Sequence, residues 1–349
     1  MVLGSFADKH AEKVPLQRML ILMTFVNIIF SFLFYLTGHT MWMAMLTLIV
    51  FGMTIHCASP LVDSLSIQYM NHGVKMNYAI SRACGSLCWA VFCVVVGLIA
   101  DAFGANRILI FQIVVSFLFA FFAFNMDAVD FSKERKKEEK TGDLASENSD
   151  AECEIGEVHS CFYLLKHFPK YSLFLLGLVF VFAAYNMNST FLIDWIEGMG
   201  GNHADYGMAQ FVLAMAEIPV ALVFYRIRGR VSIDKLMVVC AFFCFLRATA
   251  TTFSGSVTLV ILSQALELLG LSIYYVGTVY FVMDYLPQAD AVKGASLINL
   301  AGMGLGEMAG SISCGLIKDA FGLRNLMLLS SGVGFVGVVV MVWMWRRLE

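Results

Sequence analysis

The feature that most constrains this chain is a succession of long apolar runs separated by short polar segments. Ten runs are present, at about 19–37, 42–66, 82–101, 107–126, 171–193, 207–225, 234–252, 257–283, 294–318 and 324–345. Each is close to or longer than the roughly 20 apolar residues that a helix needs to cross a bilayer. None shows the short alternating pattern of a membrane-spanning strand. The sequence therefore predicts an all-α, polytopic membrane protein.

Composition agrees and excludes other classes. Hydrophobic residues make up 59% of the chain and charged residues 14%, against about 25% charged residues in soluble domains. The net charge of −3 provides no basic excess for phosphates, so a nucleic-acid partner is not expected. The nine cysteines show no metal-binding spacing, and no metal or cofactor is expected. Seven of them lie in apolar runs and are interpreted as small core residues, not disulfides.

The distribution of Lys and Arg predicts the orientation. One set of loops, together with the stretch 127–170, holds nearly all of these residues outside the spans. The opposite loops hold Arg107, Lys318 and Arg324. Because cytoplasmic loops carry the excess of positive charge, both termini are expected in the cytoplasm. The expected location is a cell membrane, such as a bacterial inner or plasma membrane.

An internal repeat predicts two halves. GLIADAFG at 97–104 and GLIKDAFG at 315–322 agree at seven of eight positions with an offset of 218, and a weaker match joins 6–19 to 224–237. The mixed-charge stretch within 127–170 lacks an apolar period and is interpreted as a solvated cytoplasmic linker, with a regulatory role as the alternative. The predicted domains are therefore 1–126 with four spans, the linker 127–170, and 171–349 with six spans. The repeat leads us to expect that the first two spans of the N-terminal half are missing.

Ionisable side chains inside the spans are the candidate site residues, because each costs roughly 2.5–3.5 kcal/mol on insertion scales. Arg82, Ser86 and Trp89 lie on one helical stripe. With Asp63 they form a plausible sugar site, since the charged groups bind hydroxyls and an indole stacks on a pyranose. The alternatives are that Arg82 extends to the interface and that Trp89 is a packing residue. The full set is His56, Asp63, Arg82, Glu217, Arg247, Glu267 and Glu307.

Several motifs resemble the major facilitator superfamily. The opening loop resembles the motif that follows that superfamily's second span, through Gly4, Asp8, Lys9 and Lys13. The run RACGSLCWAVFCVVVG at 82–97 is similar to the fifth span of oligosaccharide:proton symporters, the lactose permease-like branch, and Pro60 with Asp63 matches the P-x-x-[ED] pattern of the fourth. The resemblance implies that the arginine binds sugar and that the tryptophan stacks on it. Nucleoside and phenylpropionate-type permeases carry a similar pattern, so the match does not fix the substrate.

The same resemblance assigns roles in the second half. It implies that Glu217 contacts substrate, that Tyr185 matches a tyrosine of the seventh span, and that Arg247 acts in coupling. Our hypothesis is that Glu267 carries the proton. The approach of Arg247 would then deprotonate it. The alternatives are a permanent buried ion pair and Glu217 as the carrier. Neutral residues stand where the family has intramembrane charge pairs, which argues against lactose: Asn186, Asn188, Gln264 and Met303.

The sequence thus predicts a secondary transporter. The expected activity is proton symport of a sugar or a similar small polar solute by alternating access. The expected partners are that solute, protons and the lipid bilayer, and the chain is expected to act as a monomer. Two alternatives stay open, namely efflux of an amphipathic compound and an inactive truncated fragment of a transporter. An enzyme is disfavoured because no HExxH, Walker A or nucleophile-elbow motif is present.

Overall fold

The computed structural model describes residues 16–36, 40–54, 62, 78–104, 107–125, 161–287 and 290–347. Within these ranges every regular element is a helix, which confirms the predicted all-α class. The helices are α1 (Leu16–Leu36), α2 (Met41–Thr54), α3 (Tyr78–Phe103), α4 (Arg107–Phe124), α5 (Cys161–His167), α6 (Pro169–Thr190), α7 (Leu192–Gly198), α8 (His203–Arg228), α9 (Ile233–Phe253), α10 (Val257–Ser263), α11 (Leu271–Tyr285), α12 (Ala291–Asn299), α13 (Glu307–Phe321) and α14 (Leu323–Arg346). A 3-10 segment, Gln264–Leu269, joins α10 to α11, and a π-helical segment, Leu300–Gly306, joins α12 to α13.

These helices account for the predicted spans. Eight helical segments of the described residues are long and apolar enough to cross a membrane, and two of them are the composite segments Val257–Tyr285 and Lys293–Phe321. The other two predicted spans correspond to α2, which is a shorter apolar helix in the described residues, and to α8. The apolar sequence of α8 is interrupted by Glu217 and contains Pro219. Each predicted span therefore contains a helix.

The chain forms two compact units. One comprises Met1–Arg82 and Ala102–Cys153, and the other comprises Ala83–Asp101 and Glu154–Glu349. The predicted linker lies largely outside the described residues, so the division at 127–170 stays a prediction.

In the first unit, α1 packs along α4 and also contacts α2. Ser31 on α1 donates a hydrogen bond to Oε1 of Gln112 on α4 over 3.0 Å. Asn27 donates from Nδ2 to Oγ1 of Thr54 on α2 over 3.1 Å. Lipid tails are as apolar as leucine, so polar contacts of this kind and close packing hold membrane helices together.

In the second unit, α6 is the central helix and packs against α13 and α14. Glycines permit α13 and α14 to approach α6 closely. A Cβ atom at Gly310 would lie 2.8 Å from the carbonyl oxygen of Ala183, and one at Gly337 would lie 3.0 Å from a methyl group of Val181. Small residues at helix contacts let backbones approach closely, which favours packing within a bilayer.

A buried polar cluster ties together the ends of α6, α9 and α11. Lys170 donates to Oδ2 of Asp234 over 2.6 Å and to the hydroxyl oxygen of Tyr285 over 2.8 Å. The Tyr285 hydroxyl donates to the same oxygen of Asp234 over 2.6 Å. Both charged side chains are about nine-tenths buried, and the cluster links three helices at the end that the Lys and Arg pattern predicts to be cytoplasmic.

The cysteines follow the sequence interpretation in part. Cys240, Cys244 and Cys314 are buried, and the cysteines of the described residues are free thiols. Cys84 and Cys88 are exposed, so their interpretation as core residues is wrong. An apolar run shows that a helix lies in a bilayer, but it does not show which face is covered by protein, because lipid is equally apolar.

Candidate functional site

A cavity of about 220 Å³ lies between α3 and α8. Residues of α3 and α8 line it: Gly85, Ser86, Trp89, Leu213, Ala214 and Glu217. Ser86 and Trp89 are three positions apart on α3, and Ala214 and Glu217 are three apart on α8, so each pair shares one helical face. Trp89 is 63% exposed, which leaves its indole accessible. Three of the residues that the sequence predicts as substrate-binding therefore converge on one cavity with a hydroxyl, an indole and a carboxylate.

Arg247 and Glu267 form a fully buried ion pair. Each is 1% exposed, and Nε of Arg247 lies 3.3 Å from Oε2 of Glu267. Arg247 also donates from Nη1 to Oε1 of Gln264 over 2.9 Å and from Nη2 to the hydroxyl of Ser189 over 3.4 Å. The guanidinium lies 4.4 Å from the ring centroid of Tyr185. The charge of Arg247 is thus compensated by a carboxylate, two hydrogen-bond acceptors and an aromatic ring.

The 3-10 segment Gln264–Leu269 explains why Gln264 and Glu267 both reach Arg247. Residues three apart eclipse one another in a 3-10 helix, whereas in an α-helix they are rotated by about 60°. Gly270 follows the segment, and a Cβ atom there would lie 3.3 Å from Oε2 of Glu267 and 3.4 Å from Sγ of Cys244. The 3-10 segment between α10 and α11 therefore places both Gln264 and Glu267 beside Arg247.

The amide of Gln264 is itself held in place. The two N–H groups of its Nε2 are shared among three acceptors, the hydroxyl of Thr251 at 3.3 Å, that of Ser263 at 3.1 Å and the carbonyl of Val260 at 3.1 Å. These donations leave Oε1 facing Arg247. On the other side, Oε1 of Glu267 accepts a hydrogen bond from the backbone N–H of Leu271 over 3.1 Å.

Two tyrosines of the second unit lie within electrostatic range of both Glu267 and the cavity residue Glu217. Tyr185 on α6 is within electrostatic range of Glu217 as well as of Arg247 and Glu267. Tyr275 on α11 interacts electrostatically with Tyr185, Glu217 and Glu267. The carboxylate of the cavity and the buried pair are therefore parts of one polar region of the second unit.

The remaining predicted substrate and loop-motif residues lie wholly or partly outside the described residues. Arg82 lies in α3, but its side chain is outside the described residues. The same holds for the whole of Asp63 and His56 and for the loop-motif residues Gly4, Asp8, Lys9 and Lys13. Their roles stay predictions. Among the described residues, no group of three or more His, Cys, Asp or Glu side chains could hold a metal ion.

The sequence did not single out Ser189, Gln264 or Tyr275 as site residues. Ser189 follows Tyr185 by four positions and Gln264 precedes Glu267 by three, so each lies one turn from a predicted residue. That spacing is the available signal in the sequence. It is weak, because a neutral polar residue in a span costs less than a charge and is correspondingly less conspicuous.

The sequence pattern of a known family covers almost the whole chain. The MFS_1 like family matches residues 1–329. The chain belongs to the MFS_1 like family. With its membrane-length apolar helices, this member of the MFS_1 like family is a multi-pass membrane transporter of the major facilitator superfamily and not an enzyme.

Solved structures show the same fold for this member of the MFS_1 like family. The crystal structure of the nucleoside transporter NupG aligns with a TM-score of 0.77 at 15% identity, covering 99% of this chain and 86% of that chain. The peptide transporter POT aligns with a TM-score of 0.68 at 13% identity, covering 98% and 81%. At these identities the likeness shows the fold alone. No curated protein sequence matches the chain.

Proposed function

We propose that this transporter carries a sugar or a similar small polar solute together with protons. The observation that carries the proposal is the convergence of Ser86, Trp89 and Glu217 on one cavity. A hydroxylated ring presents polar edges to a carboxylate and a hydroxyl and an apolar face to an indole. The predicted partners Asp63 and Arg82 would extend this recognition.

The size of the cavity supports a small solute over an amphipathic compound. Pockets that enclose drug-sized ligands measure about 300–1,000 Å³, and this cavity measures about 220 Å³. Its lining combines two aliphatic side chains and an indole with a hydroxyl and a carboxylate, which fits a small solute that has both hydroxyls and an apolar face. Efflux of amphipathic compounds is therefore the weaker proposal.

A nucleoside is the second candidate substrate. It offers ribose hydroxyls to Glu217 and an aromatic base to Trp89, so the same lining is complementary to it. NupG, which shares the fold, is a nucleoside transporter. The two candidates differ in the stacking partner of Trp89, which is a pyranose face in one and a base in the other.

We propose Glu267 as the proton carrier and Arg247 as the group that expels the proton. Support comes from their contact over 3.3 Å in full burial, since a carboxyl group that gains or loses a cation changes its proton affinity. The competing role is a permanent ion pair that fixes helix register. The four contacts of Arg247 favour that alternative if they persist throughout transport.

The orientation and state of the chain belong to the same proposal. Both termini lie in the cytoplasm, the chain acts as a monomer, and the halves rock about the cavity. The ends of α3 and α8 near Asp101 and His203 then face the outside. The loops at that end hold the fewest Lys and Arg residues.

Uptake into proteoliposomes tests the proposal. Radiolabelled sugars and nucleosides are offered with and without an inward pH gradient, and at least one is expected to accumulate when the gradient is present. Glu217→Gln should lower uptake at least tenfold, because the carboxylate acceptor is lost. Asp319→Asn, at an exposed position, is the control and should transport normally. Equal uptake by Glu217→Gln and the control would contradict the assignment of the site.

A second variant tests coupling. Glu267→Gln resembles the protonated state, so it should abolish accumulation driven by the pH gradient while exchange of labelled for unlabelled solute continues. Continued accumulation against a gradient would remove Glu267 from the proton pathway and leave the pair with Arg247 a structural one.

A further inference from the structure

A carboxylate of α3 caps the N-terminus of α8. Asp101 accepts hydrogen bonds from the backbone N–H of His203 over 2.9 Å and from that of Ala204 over 2.7 Å, one to each carboxylate oxygen. The imidazole Nδ1 of His203 lies 3.2 Å from Oδ1 of the same carboxylate. The first N–H groups of a helix have no partner in their own helix, and the helix dipole favours an anion there. A residue of one helix thus binds the first two N–H groups of another, beside a local cap in which Oδ1 of Asn202 accepts from the N–H of Asp205 over 2.9 Å.

The same two helices are in backbone contact beside this cap. A Cβ atom at Gly97 would lie 2.5 Å from the carbonyl oxygen of His203, and one at Gly207 would lie 2.5 Å from the carbonyl oxygen of Cys93. Neither position tolerates a side chain without moving α3 away from α8. The contact therefore depends on two glycines and on the carboxylate of Asp101.

The contact lies at one end of the cavity between these helices. Ser86 lines the cavity, and Gly97 follows it by 11 positions, about 16 Å along α3 at 1.5 Å per residue. On α8, Gly207 likewise precedes the cavity residue Glu217. A solute that passes between α3 and α8 at this end must separate the two helices.

We propose that Asp101 is a latch that holds this end of the α3–α8 pathway closed. The inference rests on the proposed function, in which the cavity opens to one side at a time, and on the proposed orientation, which makes this the outer end. Separation of the helices breaks two charge-assisted hydrogen bonds together with the glycine contacts. The latch therefore sets how often the cavity opens to the outside.

The internal repeat provides matched controls. Gly315 and Asp319 are the repeat counterparts of Gly97 and Asp101. A Cβ atom at Gly315 would meet nothing within 4 Å, and Asp319 is exposed. The substitutions Gly315→Ala and Asp319→Ala thus make the same chemical changes in the same local sequence without touching the latch.

The first test measures access to the cavity from outside. Ser86→Cys is introduced with the native cysteines replaced, and whole cells are treated with a membrane-impermeant maleimide. Asp101→Ala is expected to raise the labelling rate roughly five- to tenfold, because a lost helix cap and its charge shift the equilibrium by about that factor. Gly97→Ala should raise it as well. Asp319→Ala and Gly315→Ala should leave it unchanged.

The second test needs no cysteine replacement. Hydrogen exchange of the purified protein follows the amides of His203 and Ala204, which Asp101→Ala should expose to exchange roughly five- to tenfold faster. Asp101→Asn, which keeps an acceptor oxygen, should give a smaller increase and serves if the alanine variant does not fold.

The proposal requires that Asp101→Ala raise both the labelling rate of the cavity cysteine and the exchange rate of the two amides. Faster exchange without faster labelling would leave Asp101 a helix cap and overturn the latch, and faster labelling without faster exchange would show that the cap is not its cause. An equal rise in Asp319→Ala would indicate general loosening and would also overturn it. Neither readout uses a solute, so a chain that transports no sugar or nucleoside but shows both changes counts against the proposed function alone.

Discussion

The buried pair of Arg247 and Glu267 should make the removal of one charge more harmful than the removal of both. Each side chain is 1% exposed and the charged atoms lie 3.3 Å apart. A single substitution leaves the partner as an uncompensated buried charge, which costs about 3–5 kcal/mol of stability. A double substitution to apolar residues leaves no such charge.

The contacts around the pair set where each variant falls in that range. In Glu267→Leu, Arg247 keeps its hydrogen bonds to Gln264 and Ser189, so we expect a loss near 3 kcal/mol. In Arg247→Met, Glu267 loses its cation and keeps the N–H of Leu271, so we expect a loss near 5 kcal/mol. The double variant should lose about 2 kcal/mol or less, because well-packed apolar residues replace a buried pair at little cost.

The assay is the apparent melting temperature of the purified protein in detergent, with every variant heated at the same rate because unfolding is often irreversible. At about 2–4 °C per kcal/mol, the single variants should melt roughly 6–20 °C below the wild type, Arg247→Met lower than Glu267→Leu, and the double variant should recover much of that loss. Arg228 and Asp284 are the control pair, 2.8 Å apart but 30% and 40% exposed. Breaking that pair should cost at most about 1 kcal/mol. A double variant as unstable as the two single losses added together would refute the reasoning.

Two further predictions follow from the site and from the core. Trp89→Ala should weaken solute binding roughly tenfold and Trp89→Phe about threefold, because a phenyl ring retains part of the stacking surface; equal losses in a binding titration would contradict stacking. Asp234→Ala should leave the buried charge of Lys170 with only the Tyr285 hydroxyl from its cluster and lower the melting temperature by an amount similar to that of Glu267→Leu, whereas Asp234→Ala combined with Lys170→Met should recover part of the loss. A single variant as stable as the wild type would show that the cluster does not fix the helix ends.

The helical class and the spans could be predicted from the sequence because the signal is local. A bilayer requires a run of about 20 apolar residues with its backbone groups paired internally, and each of the ten runs meets that requirement. The structure places a helix in every one of them. The repeated octapeptide could also be found from the sequence, because finding it requires only a comparison of one segment with another.

The candidate site could be predicted as a set of residues but not as an arrangement. Glu217, Arg247 and Glu267 stand out because charges in a span are costly. Their sequence positions do not show that Glu267 meets Arg247 while Glu217 lines the cavity with Trp89. The reach of Gln264 to Arg247 depends on the 3-10 segment, which the apolar pattern does not signal.

The two copies of the repeat show what the sequence determined and what only the tertiary structure decided. Asp101 and Asp319 occupy the same position in nearly identical octapeptides, and the sequence determined that each lies at the end of a membrane helix. In the tertiary structure Asp101 caps α8, 102 positions further along the chain, while Asp319 is exposed. The physical reason is that helical periodicity fixes the face of its own helix on which a residue lies, whereas in a bilayer every face can be apolar. Helix packing then selects the neighbour that this face meets.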